Sequence, residues 1–123
     1  MDRQLLLIED DRVIGEMYAI RLRQDGWRVQ LAGSGEEGLA VAAAQPPDLV
    51  LLDIMLPGID GLEVLAQLRR AEVTACVPVL VLSNSPGLNA SRRRAEALGI
   101  AGWRIKSHTV PSALAAEVAR LLA

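Results

Sequence analysis

The chain has 123 residues, the size of one ordinary domain with a single core, and we expect one domain over residues 1–123. It is 51% hydrophobic and 23% charged, which argues against disorder, and its net charge of −2 gives no overall attraction to nucleic acid or anionic membrane. Only one cysteine, Cys76, is present, which excludes an intrachain disulfide and a thiolate metal cluster. The start is too short and acidic for a signal peptide, and no apolar stretch could span a membrane, so we expect a cytoplasmic protein.

Five short apolar runs predict five strands. The first, third and fourth are nearly continuous in Leu, Val and Ile, which is typical of strands that are covered on both faces. The second and fifth are patchier, as expected nearer a sheet edge. The runs are Leu5–Ile8, Trp27–Ala32, Leu49–Leu52, Val77–Leu82 and Ile100–Ile105.

Helical patterns separate these runs. Their signals are apolar spacing of three or four residues, capping side chains and terminal Gly or Pro. The first has Val13, Met17, Ile20 and Leu22 and ends at Gly26; the second is capped by Ser34 and ends before Pro46; the third has Leu62, Leu65 and Leu68; the fourth runs from Ala90 to Leu98; the fifth is capped by Thr109 and has Leu114, Val118, Leu121 and Leu122 on one face.

Strict alternation of strand and helix predicts a parallel sheet with helices on both sides, and ligands in such sheets bind at the carboxyl ends of the strands. Five polar residues lie at those ends: Glu9, Asp10, Asp53, Ser83 and Lys106. Converging carboxylates suit Mg²⁺, and a carboxylate beside such an ion can attack a phosphoryl group. A hydroxyl and an ammonium, from Ser83 and Lys106, would then hold the product.

Four segments in this order resemble the receiver domain of two-component response regulators. The segments are Leu7 to Asp11, Leu52 to Gly61, Leu82 to Asn84 and Trp103 to Lys106, and together they cover essentially the whole chain. The resemblance implies a flavodoxin-like (βα)5 fold, a doubly wound parallel sheet with strand order 2-1-3-4-5.

The resemblance also implies a phosphoacceptor and a metal site. Asp53 would accept the phosphoryl group and contribute to the Mg²⁺ site. Asp10 would bind Mg²⁺ directly, Glu9 would bind it through water, and the backbone carbonyl of Met55 would be a further ligand.

Three further residues match the family's response machinery. Ser83 would bond the phosphoryl group and draw its loop inward, Lys106 would pair with the phosphoryl oxygens, and Trp103 falls at the aromatic switch position. Ser107 follows Lys106 where the family typically has proline after a cis bond. Ala101-Gly102 replaces an acidic pair that many transcription-factor receivers carry, which weakens the case for dimerisation in that subfamily's manner.

The function expected from the resemblance is a phosphorylation switch. A histidine kinase or histidine phosphotransfer protein would supply the phosphoryl group, and the surface of the fourth helix, fifth strand and fifth helix would change, with homodimerisation on phosphorylation as one outcome. The domain would be no enzyme beyond self-phosphotransfer and slow autodephosphorylation, and it would contact neither nucleic acid nor membrane directly.

Other functions stay open or are disfavoured. The main alternative is a receiver-like interaction module that acts without phosphorylation. An aspartate-nucleophile phosphohydrolase usually has a second Asp two residues after the nucleophile, where this chain has Met55. A flavin-binding flavodoxin is disfavoured because the first loop is acidic rather than rich in N–H donors. The remaining conspicuous residues read as packing or surface: Met17, Tyr18, Cys76, Arg92 to Arg94 and His108.

Overall fold

The structure, a computed structural model, describes residues 3–84 and 89–123. Five parallel strands form one sheet in the order β2-β1-β3-β4-β5. This confirms the predicted flavodoxin-like order. The strands are β1 (Gln4–Ile8), β2 (Arg28–Ala32), β3 (Leu49–Asp53), β4 (Val79–Ser83) and β5 (Gly102–Ile105).

In the described residues, five helices cover the two faces of the sheet. They are α1 (Arg12–Gln24), α2 (Gly35–Ala44), α3 (Gly61–Arg70), α4 (Ala90–Leu98) and α5 (Pro111–Leu121), and one turn of 3-10 helix covers Lys106–His108. Alternate residues of the central strands face opposite sides, so the core has two halves. One half lies against α2, α3 and α4 and the other against α1 and α5. In the described part of the chain, no helix is long and apolar enough to cross a membrane.

Three strands start later than the apolar runs predicted. The Trp27 amide donates to the Leu22 carbonyl and closes the end of α1, so β2 begins at Arg28. Pro78 has no amide to donate, and β4 begins after it. Gly99 has a φ of +97° and turns the chain, so β5 begins only at Gly102.

Three of the four apolar residues whose spacing predicted α1 lie on its exposed side. Val13 and Ile20 are 79% and 54% exposed, and Met17 is also exposed. The buried face is formed by Gly15, Tyr18, Ala19 and Leu22. A Cβ at Gly15 would lie 3.4 Å from Leu31 Cδ2, an ordinary contact distance, so this side of α1 lies directly against β2.

Thr109 was predicted to cap the fifth helix, and this was wrong. The residue at the cap position of α5 is Val110, which makes no side-chain cap bond. Thr109 is buried, and its hydroxyl donates to the Ile105 carbonyl at 2.8 Å. The hydroxyl therefore stabilises the turn after β5 rather than the helix that follows.

Candidate functional site

Asp53 is the last residue of β3, and its carboxylate is almost completely buried, with 2% exposure. One oxygen, Oδ1, accepts the Met55 amide at 2.9 Å. The following loop folds back tightly, because the Gly61 amide donates to the Ile54 carbonyl at 3.1 Å. A Cβ at Gly61 would lie 2.5 Å from Ile54 Cα, so only glycine allows this approach. The loop thus fixes the direction of the Asp53 side chain.

The loop after β1 brings a second buried carboxylate to the same edge. Glu9 is 4% exposed, and its amide donates to the Ala32 carbonyl of β2 at 3.0 Å. Its Oε2 accepts the Asp11 amide at 3.1 Å. Asp11 Oδ1 in turn accepts the amides of Val13 and Ile14 and caps α1. This gives Asp11, which had no predicted ligand role, a structural one.

Lys106 bridges the two buried carboxylates. Its Nζ lies 2.6 Å from Glu9 Oε1 and 3.2 Å from Asp53 Oδ2. The Lys106–Ser107 peptide bond is trans, like all the others among the described residues. The ammonium therefore reaches the site from a turn without a cis bond.

Burial and crowding of charges dominate the electrostatics. Burial raises the pKa of Glu9 to about 7, and the neighbouring Asp53 carboxylate adds to the rise against the opposing pull of Lys106. Burial disfavours the charge on Lys106, but the hydrogen bonds and charges of Glu9 and Asp53 prevail and raise its pKa. One ammonium shared by two carboxylates therefore leaves negative charge uncompensated.

The acidic group has the composition of a divalent-cation site. Glu9, Asp10 and Asp53 each offer one oxygen, and these oxygens lie within 4.8 Å of one another. If all three carboxylates were ionised, they and the one ammonium would leave two negative charges, which a dication would neutralise. Hard oxygen ligands with one exposed member, Asp10, fit Mg²⁺, which keeps several of its waters. The residues present thus fit the ion that was expected.

The remaining predicted site residues belong to β4, to β5 and to the loop after β3. Ser83 is fully buried at the end of β4, in register with Ile105 of β5. Trp103 of β5 packs partly buried against the α4 side of the core, with the Arg92 guanidinium 5.8 Å from its ring centroid. Met55 is exposed, and its amide rather than its carbonyl makes the bond described above. The structure thus brings Glu9, Asp10, Asp53 and Lys106 together, while the assigned roles of all seven residues stay predictions.

Sequence reasoning missed one residue near the site. Tyr18 was interpreted as helix packing, and it is indeed buried, but its hydroxyl also donates to the Thr109 carbonyl at 2.7 Å. The acceptor is a backbone group 91 residues away, so no pattern in the sequence signals the bond.

Similarity to known proteins agrees with this geometry. A family model described as the response regulator receiver domain matches residues 5–114. The DNA-binding dual master transcriptional regulator RpaA of Synechocystis is 45% identical over 80 residues, which are 65% of this chain and 33% of that protein. This chain thus matches about a third of the length of such curated relatives.

Solved structures agree over the whole chain. The chemotaxis response regulator CheY4 of Vibrio cholerae has a TM-score of 0.90 and 25% identity, covering 98% of each chain. A response regulator from Burkholderia multivorans is 36% identical with a TM-score of 0.80, covering 100% of this chain and 97% of that one. The chain belongs to the response regulator receiver domain family.

Proposed function

We propose that residues 1–123 form one receiver domain in which Asp53 accepts a phosphoryl group from a phosphohistidine of a kinase or phosphotransfer protein. The observation that carries the proposal is the joint approach of Glu9, Asp10 and Lys106 to the buried Asp53 carboxylate. Asp53 forms the new O–P bond, the P–N bond to histidine breaks, and the imidazole takes the electron pair. The product is an acyl phosphate.

Each neighbour of Asp53 has a distinct part in this reaction. The Met55 amide holds one Asp53 oxygen, so the carboxylate is oriented before the donor arrives. The Lys106 ammonium, now on Glu9 and Asp53, would move to the phosphoryl oxygens. Asp10, Glu9, Asp53 and the Met55 carbonyl would hold Mg²⁺, which offsets charge on the transferred group when it is bound.

Turnover of the acyl phosphate would be slow. Water must attack phosphorus, and a hydrolase would supply an acid or base two residues after the nucleophile. That position is Met55, whose thioether transfers no proton. The domain therefore acts as a timed switch rather than as a phosphatase.

The response would pass from Ser83 to the surface of α4, β5 and α5. Ser83 ends β4 beside β5, and Trp103 lies two residues before its register partner Ile105. A phosphoryl group that draws Ser83 inward would disturb the packing of Trp103 and its contact with Arg92. The resulting surface would act on an output such as the transcriptional regulation named for the relatives.

Acetyl phosphate, a small phosphodonor, tests the reaction. With Mg²⁺, intact-mass measurement should show one added phosphoryl group, and the adduct should be absent without Mg²⁺ and in Asp53→Asn. An adduct of equal yield in Asp53→Asn would show that another residue is the nucleophile.

A second candidate is an interaction module that needs no phosphorylation. One observation favours it: the Lys106 ammonium pairs with both Glu9 and Asp53 and so neutralises part of the buried charge. It predicts no response of Trp103 fluorescence to Mg²⁺ in a Trp27→Phe background, which leaves Trp103 as the only indole. A Mg²⁺ titration that disappears in Asp53→Asn would exclude it.

A further inference from the structure

The turn that carries Lys106 is held by three hydrogen bonds that meet at Thr109. The Thr109 amide donates to the Lys106 carbonyl at 3.2 Å, and the Thr109 hydroxyl donates to the Ile105 carbonyl at 2.8 Å. The third bond comes from outside the turn, because the Tyr18 hydroxyl of α1 donates to the Thr109 carbonyl at 2.7 Å. Tyr18 is therefore the long-range anchor of this turn.

Apart from these bonds and the Lys106 ion pairs, the described residues give the backbone of the turn few restraints. Ser107 and His108 are exposed, and no proline ring fixes the backbone directly after Lys106. α5 starts without a side-chain cap at Val110. Tyr18 by contrast is 1% exposed and packs in the core against α5, so its hydroxyl has a fixed position.

The same helix is also tied to the opposite side of the site. α1 begins at the Asp11 cap, and the Asp11 amide donates to Glu9 Oε2. About two turns later Tyr18 holds the turn that carries Lys106, the ion-pair partner of Glu9. α1 thus connects the Glu9 loop, at its N-terminus, to the Lys106 turn, at Tyr18 in its middle.

We infer that Tyr18 is a positioning residue for Lys106: its hydroxyl, through the Thr109 carbonyl, places the ammonium between Glu9 and Asp53. Its effect on phosphoryl uptake rests on the proposed function, whereas its effect on the turn does not.

Tyr18→Phe removes the hydroxyl and keeps the packing of the ring. Thr74→Val is the matched control. The buried Thr74 hydroxyl also donates to a backbone carbonyl, that of Leu68, at 2.7 Å. Thr74 lies between α3 and β4, before the start of that strand and thus away from the carboxyl ends of the strands. Both variants lose one buried hydrogen bond. When variant and wild type are compared under conditions of equal free energy of unfolding, the Thr109 amide should exchange with solvent about tenfold faster in Tyr18→Phe than in the wild type. In Thr74→Val the exchange rate of this amide should not change.

Uptake of phosphoryl from acetyl phosphate with Mg²⁺ supplies the chemical readout. Tyr18→Phe should slow it about tenfold, since a misplacement of a catalytic group by about 1 Å can cost up to about a hundredfold, and Thr74→Val should leave it unchanged. In a Lys106→Ala background, Tyr18→Phe should have no further effect on the rate. An equal slowing with and without Lys106 would overturn the inference.

The two proposals fail in different ways. A wild-type protein without Mg²⁺-dependent uptake would refute the phosphoacceptor function, and the amide exchange of Thr109 would then decide the positioning role alone. Unchanged Thr109 exchange in Tyr18→Phe would refute the positioning role even if uptake in the wild type were normal.

Discussion

Glu9 should make the metal-free domain less stable as the pH rises. Its pKa is 4.5 when unperturbed and about 7 in the folded protein, mainly because it is buried and secondarily because of Asp53. Between these values the folded state binds a proton that the unfolded state has lost, so folding is favoured at low pH. The full contribution is present below pH 4.5 and is lost as the pH rises through about 7.

The size of the effect follows from the same values. Each pH unit between 4.5 and 7 corresponds to about 1.4 kcal/mol, so ionised Glu9 lowers the free energy of unfolding by about 3 kcal/mol relative to neutral Glu9. Gln has the shape of the neutral acid and does not ionise. As the pH rises from 4 to 8, the free energy of unfolding of Glu9→Gln should therefore increase relative to that of the wild type by up to about 3 kcal/mol.

Urea unfolding in EDTA at several pH values measures this difference. Glu72→Gln is the control, because Glu72 is exposed and should follow the wild type at every pH. Added Mg²⁺ should reverse the order at pH 8, because in the proposed site ionised Glu9 would help to hold the cation and Gln would not. If the free energies of unfolding of the wild type and of Glu9→Gln differ by the same amount at every pH from 4 to 8, the raised pKa of Glu9 is wrong.

Two further substitutions test the supports of the fold. The Arg69 guanidinium donates to the carbonyls of Gly99 and Val77 at 2.8 Å each. Arg69→Met should therefore lower the free energy of unfolding, measured in urea, by about 3 kcal/mol. Arg70→Met is the control and should change it by less than about 0.5 kcal/mol, because Arg70 belongs to an exposed ion pair. Gly61→Ala should lower the free energy of unfolding by about 2 kcal/mol or more, because its Cβ would lie 2.7 Å from the Asp53 carbonyl oxygen. The same substitution should slow phosphoryl uptake by Asp53. If Arg69→Met and Arg70→Met were equally stable, or if Gly61→Ala took up phosphoryl at the wild-type rate, the roles given to these contacts would be wrong.

Most of the fold could be predicted because the central strands are covered on both faces. Leu49 to Leu52 are all fully buried, so the run reads as a strand without ambiguity. The strand starts could not be predicted, because they depend on backbone bonds such as that of the Trp27 amide to the end of α1. The buried face of α1 was missed because two of its members, Gly15 and Ala19, have too little apolar side chain to stand out in the sequence.

The candidate site could be predicted as a set of residues, because parallel strands bring their carboxyl ends to one edge. This placed Glu9, Asp53 and Lys106 together without knowledge of distances. The bonds that hold them could not be predicted, since Tyr18 and Thr109 meet through a backbone carbonyl that every residue type carries. Side-chain chemistry was therefore visible in the sequence, and its backbone support was not.

The most direct test of the central claim is to locate the phosphoryl group. After treatment with acetyl phosphate and Mg²⁺, borohydride reduces an acyl phosphate to an alcohol, and peptide mass mapping finds the reduced residue. We expect reduction at Asp53, and none there when Mg²⁺ is omitted. Reduction at another carboxylate, such as Asp10, with Asp53 unmodified, would contradict it.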